Sequence, residues 1–435
     1  MPFHENVRDY IEKICNQIRW KKIRPVIAKE LKNHIDDQIQ SYVSSGMEFD
    51  EATEKALIEM GDPLEIGLAF DRTHRPQPEW SMLIIMAIAL FIGLVLRIFL
   101  SPVNEFGHSL LPDSLLAIAI GVVLMTAAYF FDFSIIGSYP RLTQALIVFP
   151  ALILFILSTH NNNALRYLHY VVLLLPIAYA AFLYTQKNKD NLGIGLGLII
   201  AFVFSSIPFA GWLLPETLLV FLSCLIMLNT AIAKDWFCSR TALKFMFVNI
   251  LALAGSTIVA IIFTNIEGVT RRLGLENYEL SNLIKTILLD SKLFGQGESM
   301  LFNTLPFSYD ERYLLVYLTH RFGWIVSIGI VTLLAAFVIR GFHVNFKQTN
   351  MLGLFISTAI LLTITFQIII YIISNMGFPF FSAITLPFVS YGKTVTVVNM
   401  ALFGLMLSVF KTRVLRFNNP YDPTNSLSEK ITPLK

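Results

Sequence analysis

"LPFVSYGKT" (Leu386–Thr394) stands directly before "VTVVNMALFGLMLSVF" (Val395–Phe410), the last long apolar run of the chain. The nonapeptide sets a proline, two hydroxyls, a tyrosine, a glycine and a lysine at the mouth of a segment that otherwise belongs in lipid. A lysine at that depth is costly and calls for an anionic partner or a route to the headgroups. The segment therefore raises two matters together, a membrane fold and a polar site at one end of it.

The rest of the chain agrees with the first. Of 435 residues 55% are hydrophobic and only 14% charged, 36 are Phe, and the mean hydropathy is +0.63. A soluble domain carries nearer a quarter charged residues, so these values predict an all-α polytopic membrane protein. The opening "MPFHENVRDYIEKICNQIRW" is charged and lacks the apolar core of a signal peptide. Cys15, Cys224 and Cys238 have no metal-type spacing, and no disulfide is expected among them.

Composition changes near "RTHRPQPEW", residues 72–80. Before it, residues 1–76 read as a small helical domain. Val7, Ile11, Ile14, Cys15 and Ile18 fall three or four apart and form one apolar face. Pro25 opens a second helix and Gly46 closes it. Acidic residues open a third, Gly61 stops it, and Asp62-Pro63 opens a last short one. After the change come ten apolar runs, near 81–100, 114–131, 142–158, 168–184, 192–208, 212–233, 243–264, 314–339, 351–374 and 390–410. Each is expected to be long enough to cross ~30 Å of hydrocarbon. A membrane domain over 80–415 and a tail over 416–435 complete the division.

Orientation follows from the short loops. With the head cytoplasmic, the inner loops hold Arg141, Lys187, Lys189, Lys234, Arg240, Arg340, Lys347, Lys411, Arg413 and Arg416, and the short outer ones hold only Arg166. Ten spans also place both termini inside. The one long outer segment, 265–313, contains "YELSNLIKTILLDSKLF", with Leu280, Leu283, Ile284, Ile287 and Leu288 at helical spacing. It is read as an amphipathic helix, lying on the outer leaflet or packed on the bundle mouth.

Charged groups collect at the outer ends of the spans: Arg97, Glu216, Asp310, Glu311, Arg312, His320, Arg321 and Lys393. "WLLPETLLVF" sets Glu216 at a depth matching Lys393, so the two are expected to pair or to line one polar cavity. Such a cavity, holding His320, Arg321 and Lys393 beside Ser390 and Tyr391, suits an anionic group on a lipid. "GKT" at 392–394 lacks the upstream glycine of a nucleotide loop. The sequence calls for no cofactor, gives no indication of a divalent cation, and suggests no nucleic-acid partner.

"FPFFSAITLPFVSYGKT" before a final apolar helix resembles the signature of the SEDS family (FtsW, RodA and SpoVE), whose last span is entered through "P-L-P-F-x-S-Y-G-G-S". "SKLFGQG" resembles the family's "GGLFGKG" in the large outer loop, and "LLPETLLVFLSCLIMLNTAIA" its "LQPDLGTALVLL" segment. The likeness covers residues 80–415. The head, with "ELKNH" and "MGDP", is similar to the helical prefix found ahead of some Gram-positive permeases.

The resemblance implies polymerisation of the lipid-linked peptidoglycan precursor lipid II on the outer face of the bacterial plasma membrane, in division, elongation or sporulation. A penicillin-binding protein, or another component of the divisome or elongasome, is then the expected partner. The family's key carboxylate is the Asp of "L-P-E-x-H-T-D-F". Counted back from Gly323, that Asp falls on Arg312 in "LPFSYDERYLLVYLTHRFGW". The nearest carboxylates are Asp310 and Glu311, which become the candidate bases, while Arg312, Arg321 and Lys393 become the candidate pyrophosphate ligands. A chain that had lost the base would act as a scaffold of a cell-wall complex; a lipid-precursor transporter is the third reading.

Overall fold

The structure is a computed structural model that describes residues 5–21, 23–74, 78–100, 110–158, 161–211, 213–237, 241–264, 279–298, 311–378, 384–389 and 392–412. The chain divides into two compact units, one containing Met1–Pro78 and one formed by Glu79–Phe410.

The first unit is four helices, α1 (Glu5–Gln17), α2 (Arg24–Ser44), α3 (Phe49–Met60) and α4 (Pro63–His74). The apolar spacing of α1 buries Val7, Ile11, Ile14 and Cys15, and α2 answers with Ile27, Leu31, Ile35 and Ile39, one per turn along a single stripe. Gly46 and Gly61 stop their helices in the left-handed region, at φ 96° and 92°. Tyr10 Oη donates to the Gly61 carbonyl at 2.8 Å, and Asp71 accepts from the Arg19 backbone N–H at 2.7 Å. Burial pushes the Cys15 thiol up, which leaves it an inert core group. With its own core and its own stops, a fragment of residues 1–75 should fold alone. Circular dichroism should show a helical spectrum with a cooperative melt, and Ile35→Ala should lower its stability by about 2–5 kcal/mol. A disordered spectrum for the unmutated fragment contradicts this.

The second unit holds α5 (Trp80–Leu100), α6 (Leu110–Phe130), α7 (Ser134–Ser138), α8 (Pro140–Ser158), α9 (Asn162–Val172), α10 (Leu175–Tyr184), α11 (Asp190–Ala210), α12 (Leu214–Ala233) and α13 (Thr241–Thr264). After these come α14 (279–289), a 3₁₀ turn at Glu311–Tyr313, α15 (Leu314–Phe322), α16 (Trp324–Asn345), α17 (Met351–Asn375) and α18 (Lys393–Phe410). Six of the described helices are long and apolar enough to span a membrane, and the pair α9–α10, bent by 41°, makes a seventh if it is one span. α5, α6 and α13 are apolar as well, over shorter described stretches. The ten expected runs all coincide with helical segments, though ten is not thereby a count of spans. Two runs are each two helices: 168–184, where α9 bends into α10, and 314–339. The second of these is broken at Gly323, whose φ of 93° ends α15.

α17 is the central element, packed by α10, α12, α16 and α18. α10 is buried along nearly its whole length. By contrast, Phe130, Leu146, Phe149 and Phe247 project from α6, α8 and α13 exposed, as lipid contact allows. Polar pairs lock the register inside. Gln367 and Asn399 exchange amide hydrogen bonds at 3.2 and 3.3 Å between α17 and α18. Asn345 donates to Thr358 at 2.9 Å and accepts from Ser357. Tyr184 stacks on Trp236, which meets Phe355 edge-on, with centroids 5.6 and 5.7 Å apart.

Candidate functional site

The break at Gly323 organises one end of the membrane unit. α15 begins where Tyr371 and Asn375 of α17 supply its caps. The Leu315 N–H donates to Tyr371 Oη at 3.1 Å and the Val316 N–H to Asn375 Oδ1 at 3.3 Å, while Asn375 Nδ2 donates to the Arg312 carbonyl at 2.9 Å. These orphan donors would otherwise go unmatched in a dry bundle. At its other end Thr319 and Ser327 bond across the break at 2.7 Å.

The "SKLFGQG" loop docks on that break by main-chain bonds. The Gly297 N–H donates to the His320 carbonyl at 2.8 Å, the Gly295 N–H to Phe322 at 3.2 Å, and the Trp324 N–H returns to the Lys292 carbonyl at 3.1 Å. A Cβ on Gly297 would lie 2.8 Å from His320 Cδ2, so the glycine is what lets the loop close over the imidazole. Arg321 Nη1 donates to Gln296 Oε1 at 2.6 Å. Lys292 holds Glu298 at 2.7 Å, and this hydrogen bond keeps the Glu298 carboxyl below its ordinary range. Ahead of the loop, α14 turns Ile284 and Ile287 onto Val316 of α15, and Ser281 donates to the Gly377 carbonyl. Of the two placements expected for this amphipathic helix, the structure has the packed one.

The signature segment is a buried turn. Leu386, Phe388 and Val389 are buried, and the Val389 N–H bonds back to the Pro387 carbonyl at 2.8 Å. Phe388 sits at φ 65°, a strained value for a residue with a bulky side chain. Its ring is held between Phe337 and Phe403, centroids 5.5 and 5.9 Å away. Gly93 of α5 fits beneath, since a Cβ there would lie 2.7 Å from the Val389 carbonyl oxygen. From this turn the chain enters α18 at Lys393, which is exposed. A cation in a helix's first turn opposes the macrodipole, so its place there is not owed to helix stability.

Glu216 is not the partner of Lys393. In the first turn of α12, where the dipole favours an acid, its Oε1 lies 2.5 Å from Nδ1 of His169 on α9. The Glu216 side chain is 3% exposed and the His169 side chain 37%. Depth alone had suggested the lysine; the pairing joins residues 47 apart, which spacing does not encode. His169 had no signal of its own beyond being a polar residue in the apolar stretch "LRYLHYVV".

Among the other expected site residues, His320 is buried, at 2% exposure, while Arg312 and Arg321 are exposed. Glu311 opens the 3₁₀ turn. Asp310, Ser390 and Tyr391, and the side chains of Glu311 and Arg97, lie outside the described residues. The structure thus brings His320, Arg321 and the "LFGQG" loop to the C-terminal end of α15, while Arg312 stands just before its N-terminus. Among the described residues no group of three His, Cys, Asp or Glu side chains could hold a metal.

No protein-family model matches the chain, and no curated protein sequence matches it. Solved structures do. One is a chain of a peptidoglycan synthase complex, solved for the coordination of polymerization and crosslinking. It superposes with TM-score 0.61 at 14% identity, over 77% of this chain and 98% of that one. The rod shape determining protein RodA of Thermus thermophilus gives 0.55 at 13% identity, over 78% of this chain and 98% of that one. A mutant of the same RodA gives 0.53 at 14%, over 78% and 99%. The chain thus has the all-α polytopic fold of RodA.

Proposed function

We propose that the chain is a SEDS-type component of cell-wall assembly that handles lipid II, or a related undecaprenyl-linked precursor, at the outer mouth of its membrane unit. The observation that carries this reading is the fold, shared with nearly the whole of RodA and of a peptidoglycan synthase chain. The "LPFVSYGKT" turn and the "LFGQG" loop, both seated on the membrane unit, support it from the sequence side. In this reading Arg312, Arg321 and Lys393 hold pyrophosphate, a penicillin-binding protein is the partner, and Asp310 and Glu311 are the nearest acids to the family's base. The head is a cytoplasmic prefix domain. Arg312 at the family's Asp position favours a second reading, a scaffold that keeps the lipid site and the partner without the chemistry.

A photo-crosslinking residue at Gln296 tests the lipid assignment. With Arg321 bonded to Gln296, it should capture a lipid-linked disaccharide pyrophosphate in vesicles. Capture of acyl chains alone, unaffected by competing lipid II, refutes the reading.

Two further results are expected. Lys393→Met should leave Glu216 in place, because Glu216 is held by His169, and weaken lipid II binding roughly tenfold or more, the worth of one charge-assisted contact. Equal binding would reduce Lys393 to a headgroup anchor. In topology, a reporter fused after Lys435 should be cytoplasmic and one inserted near Gly274 external; an external C-terminus contradicts the proposed orientation.

A further inference from the structure

We propose that His169 and Glu216 form an acid–base dyad in which His169 Nε2 takes the proton of the attacking saccharide hydroxyl. The proposal rests on the glycosyl-transfer reading above and offers a base other than Asp310 and Glu311, since Arg312 stands at the expected carboxylate position and a guanidinium accepts no proton.

The geometry assigns the two roles. Glu216 is almost fully enclosed, while His169 is more than a third exposed. In the proposed dyad Glu216 is the carboxylate, which only accepts, and His169 Nδ1, 2.5 Å from Oε1, is the donor. This fixes the tautomer and leaves the Nε2 lone pair on the far edge of the ring. The second oxygen of Glu216, Oε2, is buried with no hydrogen-bond partner among the described residues. The imidazole is therefore the group that answers this carboxylate, and once protonated it faces it as an ion pair. A buried acid that orients, and a ring that reaches out, is the division of labour a base needs. α9, which carries His169, packs on both α12 and α18.

The step balances. The hydroxyl oxygen of one saccharide bonds to the anomeric carbon of the other. The bond from that carbon to the pyrophosphate oxygen breaks, its electron pair leaving on the lipid pyrophosphate. The hydroxyl proton passes to His169 Nε2 and from there to the released pyrophosphate or to water. Glu216 touches only the imidazole and is a positioning residue.

The test is lipid II polymerisation by the full chain with its co-purified penicillin-binding protein, with melting temperature and lipid II affinity followed in parallel. His169→Asn keeps an N–H donor for Glu216 and removes the basic nitrogen. Its kcat should fall ~10²–10⁴-fold with KM and affinity unchanged. Glu216→Gln, whose amide donates to Nδ1 and so turns the ring to the wrong tautomer, should also lower kcat, and Glu216→Asp should recover part of it. Should His169→Asn prove unstable, His169→Ala with free imidazole decides: restored polymer formation supports the dyad, and no restoration overturns it. Wild-type rates in a folded His169→Asn overturn the dyad and leave the glycosyl-transfer reading standing. No polymer from the wild-type complex removes that reading, and the dyad with it.

Discussion

Gly404→Val should be the most damaging single substitution in the membrane unit. α6 and α18 approach so closely that a Cβ on Gly404 would lie 2.2 Å from the Met125 carbonyl oxygen, with the Met125 carbonyl carbon and Cα at 2.8 Å. These are backbone atoms, so no rotamer change relieves the contact and the two helices must part. Small residues at such crossings are how membrane helices gain packing contacts without a hydrophobic drive between them. Parting α6 from α18 also loosens the Ser408 bond to the Phe131 carbonyl, 2.7 Å long. Overpacking of this kind costs ~1–3 kcal/mol, with the high end expected when backbone must move. The measurement is the detergent melting temperature of the full chain, which should fall clearly. Gly121→Ala makes the contrast: it meets first the flexible Met400 Sδ, and should be tolerated better. Equal effects of the two would contradict the account of this crossing.

Gly323→Ala should disable the site while sparing most of the fold. Gly323 lies at φ 93° and ψ 167°, a region that is essentially glycine's own and costs an L-residue of order 1–3 kcal/mol. A Cβ there would also stand 2.5 Å from the Leu293 carbonyl oxygen, on the loop whose backbone clasps 320–324. Strain and clash fall on the same few bonds, so the expected relief is release of the 292–298 loop from α15. Hydrogen exchange should show faster exchange at the Gly295 and Gly297 amides, and lipid II binding should weaken. Unchanged exchange at those two amides would show that the loop's hold does not depend on this glycine.

How far the sequence spoke for itself differs by element. The helices of the first unit were legible because their apolar spacing and their glycine stops carry local information; Ile14, Ile35 and Gly61 sit where such spacing places them. The run through "VYLTHRFGWIVSI" was misread as continuous because hydropathy does not fall at Gly323; the interruption is a backbone angle, not a change of polarity. "LPFVSYGKT" announced a special entry to α18, but not that Phe388 is held left-handed between two other phenylalanines. For α14 the apolar stripe was plain, whereas its cover, Val316, lies in another element. Glu216 stands out in the sequence as a carboxylate where lipid should be, and of its two expected roles the pairing goes to His169 instead of Lys393, because depth along a helix does not say which neighbour faces it.

The measurement that bears most directly on the central claim is the fate of lipid II given to the purified full chain and the penicillin-binding protein proposed as its partner in vesicles, followed as glycan strand length with crosslinking blocked. The account predicts polymeric strands whose formation requires this chain as well as its partner. A complex that forms and binds lipid II but leaves it monomeric would contradict the enzyme, and the scaffold reading that Arg312 favours would take its place.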